Sequence, residues 1–381
     1  MDFQLTDEQS LLQEGVSRYV ADHYGFDTRR AIADRDPAFD ETQWRRFAEL
    51  GWLALTIPET AGGLGLTPLE SALVTEPLGS ALVLEPYTAT AVLAARILAE
   101  SDARERDAHL GAIAEGRLRI AVAHAEPGAR YDIARVTTRA ARRANGYRLS
   151  GEKQLVLHAP TAQQLIVPAV LEGAPGCGLF LVAGDAPGVE RRDYRLLDAT
   201  PAADVVLRGV ALDGAALIVG PERGAAVLEE AIDRLLLAEV AYALGAMERV
   251  LEISAEYVKS RVQFGQPLFE FQATQHRLAE MFIEVQEVRS ILYCGLAHIE
   301  AAPHERRRMV SAAKAVAAQA GRLVGGLGIQ LHGGIGMTEE YRVGHYFKHL
   351  VVFEKLYGDV DHHLARLMNA GATAPAAGDS P

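Results

Sequence analysis

The chain has 381 residues, of which 49% are hydrophobic, and it carries a formal net charge of −12 with a pI near 5.5. This length and hydrophobic content are enough for several packed layers or subdomains that share one continuous core. A net negative charge repels nucleic acid and anionic membrane surfaces, so both are disfavoured as partners. An anionic ligand therefore needs a local cationic pocket. Only Cys177 and Cys294 occur, and neither lies in a metal-binding or redox motif, which argues for a reducing compartment and against a metal site.

Residues 1–118 have the spacing of apolar residues that is typical of helices. Thr6 and Gln9 form a capping-box pattern at the start of the first helix. One face of that helix is predicted to carry its apolar residues, Leu11, Leu12, Val16, Tyr19 and Val20. The start of the chain is acidic and helical where a signal peptide would be basic and apolar, and no later run approaches the ~18 apolar residues of a membrane span, so we expect a cytoplasmic protein. Pro58 and the glycines that follow it predict a structured turn within this N-terminal helical domain.

The pattern of apolar and turn-forming residues changes at residue 119 and again near residue 223. Residues 119–222 alternate short Val, Leu and Ile runs with Gly, Pro, Asp and Asn, which predicts a central β domain. The only prolines in residues 223–370 are Pro267 and Pro303, and each lies at a junction between amphipathic stretches. This pattern predicts roughly three or four long antiparallel helices. The breaker-rich residues 371–381 predict a disordered tail. The order predicts an α+β fold with a crevice between layers that suits a cofactor.

The first motif, RVQFGQPLFEFQATQ, begins at Arg261. Arg261 is predicted to end one helix, and Gly265 with Pro267 is predicted to form the turn before the next. A guanidinium group at such a position can bind a pyrophosphate or carboxylate with two hydrogen bonds, and Phe264 offers an aromatic face beside it. The alternative is an ordinary helix-terminal arginine that the helix dipole stabilises, followed by a hydrophobic turn.

The second motif, QLHGGIGMTEEY, begins at Gln330. Gly333, Gly334 and Gly336 let the backbone approach a ligand closely and leave amide groups to meet anionic oxygens. No strand precedes this motif, so it is not a dinucleotide-binding fingerprint. Taken alone, it is equally typical of a turn that ends a helix.

Together with IPETAGGLG upstream and HAEPGARYD at the start of the β region, the two motifs resemble the acyl-CoA dehydrogenase family over nearly the whole chain. The resemblance implies an acyl-CoA dehydrogenase fold: an N-terminal helical domain, a central β-barrel-like domain, a C-terminal four-helix bundle, and assembly into tetramers. It also implies FAD between the β domain of one subunit and the bundle of another. The positions that the resemblance places against FAD in the bundle are Arg261, Gln263, Phe264, Gln330, Gly333 and Gly334.

The β region departs from the pattern of the family. Ala125 stands where the family usually has a threonine, and Leu155 and Leu157 stand where it usually has a tryptophan and a hydroxyl residue that contact the flavin ring. Each lost hydrogen bond removes about 1 kcal/mol and leaves the ring's polar edge without its usual partner. His124 and His158 flank these positions and are candidate replacements, although each is as readily an ordinary strand histidine.

The catalytic base is the second departure. Oxidation of an acyl-CoA to the trans-2-enoyl-CoA needs a desolvated carboxylate at the α-carbon. One family position for that glutamate matches Tyr357, whose phenol is a poor base at neutral pH. The other position matches Asp233, which is our candidate base unless it merely pairs with an arginine. Arg234 resembles the family's arginine near the substrate entrance, and Glu354 is a weaker candidate base that is better explained as a solvated charge.

Further segments, including LVLHAP and YGDVDHH, resemble the pimeloyl-CoA dehydrogenase small-subunit type and subunits of bacterial heteromeric steroid-degrading dehydrogenases. Three functions stay open. The first is an FAD-dependent acyl-CoA dehydrogenase that uses Asp233 and passes electrons to an electron-transferring flavoprotein, as a homo- or heterotetramer. The second is a non-catalytic subunit of a heterotetramer that completes its partner's FAD site. The third is an acyl-CoA oxidase. The identity of the acyl group stays open in all three.

Overall fold

The computed structural model describes residues 5–372, and the chain divides into two compact units. The first unit comprises Met1–Phe26, Ala72–Val83 and Leu236–Pro381, and the second comprises Asp27–Ser71 and Leu84–Leu235. Of the predicted tail, residues 371 and 372 end the last helix, and residues 373–381 lie outside the described residues. No helix in the described part of the chain has the length and apolar character needed to cross a membrane.

The N-terminal region is helical, as predicted. Its helices are α1 (Asp7–His23), α2 (Phe26–Ala33), α3 (Glu41–Glu49), α4 (Pro68–Ser80), α5 (Ala95–Ala99), which continues a π-helical segment (Tyr87–Ala94), and α6 (Arg106–Ala114).

Helix α1 begins with the predicted capping box, in which the Thr6 hydroxyl accepts the Gln9 N–H and the Gln9 side chain accepts the Thr6 N–H. The apolar face of α1 was only partly predicted. Val16 and Val20 are buried, but Leu11 is 68% exposed, because the face that packs is narrower than the run of apolar residues.

The central region is a mixed β-sheet. Its strands are β1 (Ile120–Val122), β2 (Arg139–Arg143), β3 (Gly146–Leu157), β4 (Gln164–Leu171), β5 (Cys177–Ala183), β6 (Val189–Arg195), β7 (Pro201–Asp213) and β8 (Leu217–Val219). The strand order is β6-β7-β3-β2-β4-β5-β8, and β1 joins β4 in parallel. Alternate residues of these strands face a core that includes Leu149, Val167, Phe180 and Val205, all fully buried.

The C-terminal region is a helical bundle joined by a short hairpin. It comprises α7 (Gly224–Ser260), β9 (Val262–Gln263), β10 (Gln266–Pro267), α8 (Gln272–Ala297), α9 (Pro303–His332), α10 (Arg342–Lys355) and α11 (Val360–Ala372). Helix α9 packs against α8, α10 and α11. Its small residues allow close approach: a Cβ atom on Gly328 would lie 2.5 Å from Val250 of α7. The order helices, sheet, helices confirms the predicted α+β class.

Candidate functional site

The first motif forms a two-residue β-hairpin directly after α7. Arg261 N–H donates to Tyr257 O at 2.8 Å, and Gln263 pairs with Gln266 across the hairpin. Phe264 and Gly265 form the turn with φ angles of 55° and 84°, the type I′ geometry that suits a two-residue hairpin. The Phe264 side chain is 89% exposed, and Arg261 is exposed and pairs with no carboxylate of the described residues. The hairpin therefore presents an available guanidinium group and an aromatic ring.

The second motif ends α9 and forms a glycine turn, Gly333–Met337. Gly333 has a φ of 63°, which explains a glycine at this position. Gly334 has no such backbone requirement, and a Cβ atom on either residue would meet nothing within 4 Å. The packing of the described residues therefore does not explain why position 334 lacks a side chain. Gln330, on the last turn of α9, is exposed.

Three aromatic side chains bring the hairpin and the glycine turn to one end of the bundle. The ring of His332, the residue before Gly333, lies 4.5 Å from the ring of Tyr257 and 5.1 Å from that of Tyr341. Tyr257 precedes Arg261 by one helical turn, so the two motifs are neighbours despite the ~70 residues between them. We call the hairpin and the glycine turn together the bundle-end site. The sequence did not identify His332 or its two tyrosines, although the histidine stands inside the motif.

His332 is a neutral imidazole inside this cluster. Its Nδ1 lies 2.7 Å from Gly328 O, which can only accept, so Nδ1 carries the proton. Its Nε2 is buried with no hydrogen-bond partner in the described structure, and burial lowers the pKa of the ring. A buried acceptor without a donor costs about 1–3 kcal/mol, so the stacking against Tyr257 and Tyr341 has to offset that cost.

In the second unit, two of the departures from the family pattern lie side by side. Gln154 N–H, on β3, donates to Ala125 O at 3.0 Å, which places the loop after β1 against the end of β3. Leu155 has a φ of 52°, and its N–H donates to the Asp204 carboxylate at 3.1 Å. The Leu155 side chain is 36% exposed. This part of the β domain therefore presents the apolar side chains of Ala125 and Leu155, and the Leu155 N–H is already bound to Asp204.

His124 and His158 flank that apolar surface. Burial lowers the pKa of each ring to about 4, so both are neutral at pH 7, and the His124 ring already forms a hydrogen bond with the backbone of Val122. The backbone of His158 is fixed in the left-handed region with a φ of 58°, and its N–H donates to Pro201 O at 2.7 Å. Its Nδ1 is buried and makes no hydrogen bond within the described residues.

An ion pair that the sequence did not identify anchors this loop. Lys153 Nζ donates to Glu126 Oε1 at 2.6 Å and to Pro168 O at 2.7 Å, and both charged side chains are fully buried. Glu126 also accepts the N–H and hydroxyl groups of Thr137 and Thr138. Burial alone would raise the pKa of Glu126, but Lys153 and the threonines lower it to about 2. Glu126 lies in the HAEPGARYD segment, whose only use above was as a marker of the family.

The two family positions for the base, Tyr357 and Asp233, lie in different surroundings. Tyr357 lies between α10 and α11 with a φ of 58°, and burial raises the pKa of its phenol, so it stays protonated. Asp233 is fully buried on α7. Arg234 pairs with Glu230 one turn earlier, and Glu230 also pairs with Arg96.

Glu354 is not the solvated charge that we predicted. It is 7% exposed, and its carboxylate pairs with Arg322 and Lys355, each at 2.9 Å. Burial would raise the pKa of this carboxyl, but the two cations lower it. The helical wheel alone does not reveal this burial, because it depends on packing against α9, which carries Arg322.

A buried cation holds the turn that carries Tyr357. Lys314, on α9, is 1% exposed, and its ammonium group donates to Phe353 O at 2.7 Å and Gly358 O at 3.2 Å. His363 Nε2 lies 3.2 Å from Tyr357 O and donates to it, because a carbonyl can only accept. Lys314 and His363 thus satisfy carbonyls at the end of α10 and in the turn that follows it. Among the described residues, no group of three or more His, Cys, Asp or Glu side chains is arranged to hold a metal ion.

Three family models match nearly the whole chain: the acyl-CoA dehydrogenase N-terminal domain over residues 6–117, the middle domain over 121–210 and the C-terminal domain over 222–371. The chain belongs to the acyl-CoA dehydrogenase family. The members of this family are FAD-dependent oxidoreductases, so the predicted cofactor and enzyme class are confirmed. The domain boundaries at residues 118 and 222 stay a prediction.

Among the relatives, acyl-CoA dehydrogenase FadE27 of Mycobacterium tuberculosis is 30% identical over 99% of this chain and 100% of its own. A structure described as a variant of the Tcur3481-Tcur3483 steroid ACAD is 32% identical over 96% of this chain and 98% of that one, with a TM-score of 0.88. A chain of the ChsE4-ChsE5 complex from Mycobacterium tuberculosis is 29% identical over 99% of this chain and 100% of that one, with a TM-score of 0.90.

Proposed function

We propose that this chain is the non-catalytic subunit of a heteromeric acyl-CoA dehydrogenase. Its bundle-end site completes an FAD site on a different subunit, and that subunit supplies the base. The complex converts an acyl-CoA to the trans-2-enoyl-CoA in the cytoplasm, as a heterotetramer, and passes electrons to an electron-transferring flavoprotein.

The observation that carries this proposal is the protonation of Tyr357 and the burial of Asp233, which occupy the two family positions for the base. Tyr357 is a buried phenol whose pKa is raised, so it cannot accept the α-proton near neutral pH. Asp233 is 0% exposed, a desolvation that suits a base, but its carboxylate has no surface open to a substrate α-carbon in the described structure. Both positions support a base that another subunit supplies.

The β domain of this chain also lacks the groups that would receive a flavin ring. Ala125, Leu155 and Leu157 provide no hydroxyl or indole, and the Leu155 N–H is already bound to Asp204. Three or so lost hydrogen bonds, at about 1 kcal/mol each, would weaken flavin binding by roughly a hundredfold.

The bundle-end site fits FAD well. Arg261 has no carboxylate partner among the described residues, and a guanidinium group in that state suits a diphosphate. Gly333 and Gly334 leave open space beside the backbone for the same anionic group, and Phe264 offers its exposed ring to an adenine. Gln263 and Gln330 are exposed nearby and can donate hydrogen bonds through their amides. FAD bound in such a site would supply the hydride acceptor of the reaction.

The two relatives with structures support a heteromeric assembly. Each is described by two different protein names, ChsE4-ChsE5 and Tcur3481-Tcur3483, and this chain covers nearly all of the matched chain in both. Tcur3481-Tcur3483 is named a steroid ACAD, and we therefore extend the proposal to a steroid-derived acyl-CoA as the substrate class.

A second candidate function is dehydrogenation by this chain alone, with Asp233 as base and Arg234 at the substrate entrance. The observation that favours it is His158, whose buried Nδ1 makes no hydrogen bond within the described residues and could face a flavin. Arg234 argues against it, because Glu230 already holds its guanidinium group.

Purification of the chain alone and with a co-expressed second subunit separates the two functions. The proposal expects a colourless chain alone, and a yellow complex whose flavin bleaches when an acyl-CoA is added without oxygen. A yellow chain that bleaches alone would establish the second candidate instead. Oxygen consumption without another acceptor would identify an acyl-CoA oxidase.

A further inference from the structure

Residues 127–150 carry a positive charge that contrasts with the rest of the chain. This segment holds six arginines and one acidic residue, Asp132, which gives +5 in a chain whose net charge is −12. All six arginines are exposed: Arg130, Arg135, Arg139, Arg142, Arg143 and Arg148.

Three of these arginines share the solvent face of the β2–β3 hairpin. In the register of the hairpin, Arg139 faces Ser150, Ala141 faces Arg148 and Arg143 faces Gly146. Arg148 therefore lies between Arg139 and Arg143, with diagonal neighbours about 7–8 Å apart. The opposite face of the hairpin is buried in the core of the sheet. We call Arg139, Arg143 and Arg148 the arginine face.

None of the three pairs with a carboxylate of the described residues. The next strand shows the usual arrangement, since Arg208 on β7 faces Ser150 and is neutralised by Glu190 at 2.8 Å. Like charges placed close together on one sheet face repel and lower stability. Asp213 on β7 and Glu172 after β4 flank the arginine face, but among the described residues neither forms an ion pair with its arginines, as Glu190 does with Arg208.

We propose that the arginine face docks an acidic segment of a second protein. Guanidinium groups bind carboxylates with two parallel hydrogen bonds, and three of them on a rigid hairpin match a run of Asp or Glu side chains. A strand surface is flat, whereas small anions bind in concave sites, so a macromolecule is the better occupant. A long polyanion such as DNA would extend beyond the patch over an otherwise acidic surface and be repelled. A short acidic protein segment avoids that repulsion.

The arginines also have a simpler possible role, which the experiment must separate. Strand β2 pairs with β4 only at Arg139 and Ala140, so the strand edge beyond them is open. Charged side chains keep such an edge from pairing with another chain. Glutamates would protect the edge as well as arginines do, so replacement by glutamate removes docking and keeps edge protection.

The test is binding of fluorescein-labelled poly-L-glutamate to the full chain, followed by anisotropy at about 50 mM and about 200 mM salt. The variant Arg139→Glu/Arg143→Glu/Arg148→Glu is compared with Arg45→Glu/Arg46→Glu/Arg117→Glu, which changes the net charge equally at exposed, paired arginines. A third variant with lysine at the three positions of the arginine face keeps the charge. Thermal unfolding midpoints verify that each variant is folded.

We expect salt-sensitive binding by the natural chain, a loss of at least about tenfold in the arginine-face glutamate variant, and a change of less than about threefold in the control. The lysine variant should retain most of the binding. The proposal is overturned if the natural chain does not bind the polymer, or if the control loses as much affinity as the arginine-face variant. Tighter binding of duplex DNA or of coenzyme A at the same face would also overturn it.

Discussion

At the scale of single residues, Asp233 is the sharpest test of how the two proposed subunits divide the chemistry. It stands at a family position for the base, yet its side chain is fully buried. We expect Asp233→Asn to leave kcat of the heteromeric complex within about threefold, because the amide keeps the size of the carboxylate and the base lies elsewhere. Anaerobic flavin bleaching with an acyl-CoA measures this directly.

The control for that variant is its thermal unfolding midpoint, which reports any cost of replacing a buried charge. A folded Asp233→Asn complex whose bleaching rate falls by about a hundredfold or more would identify Asp233 as the base and end the partner-subunit proposal.

The buried pair Glu126–Lys153 belongs to the same scale. We expect Lys153→Met to lower the free energy of unfolding by about 3–5 kcal/mol, because it leaves the Glu126 carboxylate buried without its cation. The double variant Lys153→Met/Glu126→Gln should recover part of the loss, since it also removes the buried charge. Urea unfolding at pH 7 measures all three proteins.

The pH dependence of the same pair has a defined sign. The pKa of Glu126 is about 2 in the folded chain and 4.5 ordinarily, so the unfolded state binds the proton more readily. The stability that Glu126 contributes is complete above pH ~4.5 and is lost as the pH falls toward ~2. The double variant should lack this part of the acid dependence. If the free energy of unfolding falls equally steeply with decreasing pH in the natural chain and the double variant, this assignment is contradicted.

At the scale of elements, the hairpin after α7 combines local strain with exposure. Phe264 is 89% exposed in a left-handed backbone conformation, where asparagine is far better tolerated. We expect Phe264→Asn to leave the free energy of unfolding unchanged or to raise it by up to about 1 kcal/mol. The FAD content of the purified complex should nevertheless fall. The matched control is Leu11→Asn, another exposed apolar side chain in the same unit.

Equal FAD content in the Phe264 and Leu11 variants would show that the hairpin ring does not contact the cofactor. A clear loss of stability in Phe264→Asn would show instead that the ring supports the fold, contrary to its exposure.

The elements that sequence predicted well are those with local signals. The capping box of Thr6 and Gln9, the change of texture near residue 119 and the prolines at helix junctions all depend on neighbours in the sequence. The predictions that failed depend on distant packing. Leu11 is exposed and Glu354 is buried because of what other elements cover, and one helical pattern does not contain that information.

The candidate site follows the same division. The two motifs were identified from their residue types, but only the fold places them together, through the contacts of His332 with Tyr257 and Tyr341. The anchoring of the β-domain loop by Glu126 and Lys153 joins positions far apart in sequence, and no local periodicity predicts it. The roles of the cofactor-facing and base positions stay predictions until they are measured.

At the scale of the whole molecule, the bundle has an outer surface that suits association. Phe282 and Ile283 on α8 are 54% and 56% exposed, and they line an open groove of about 520 Å³ that also includes Ile291 and Val316. Adjacent exposed apolar side chains of this size are typical of interaction surfaces rather than of solvated helix faces. In the proposed heteromer, the second subunit covers them.

We therefore expect Phe282→Gln/Ile283→Gln to abolish co-purification of the second subunit while the chain itself stays folded, because the change removes apolar area that only association buries. Co-expression followed by size-exclusion chromatography measures the complex, and circular dichroism verifies the helices. The control, Leu11→Gln/Leu364→Gln, replaces two exposed but separate apolar residues of the same unit and should leave the complex intact. If the first variant still assembles fully and retains FAD, the α8 surface is not the subunit interface.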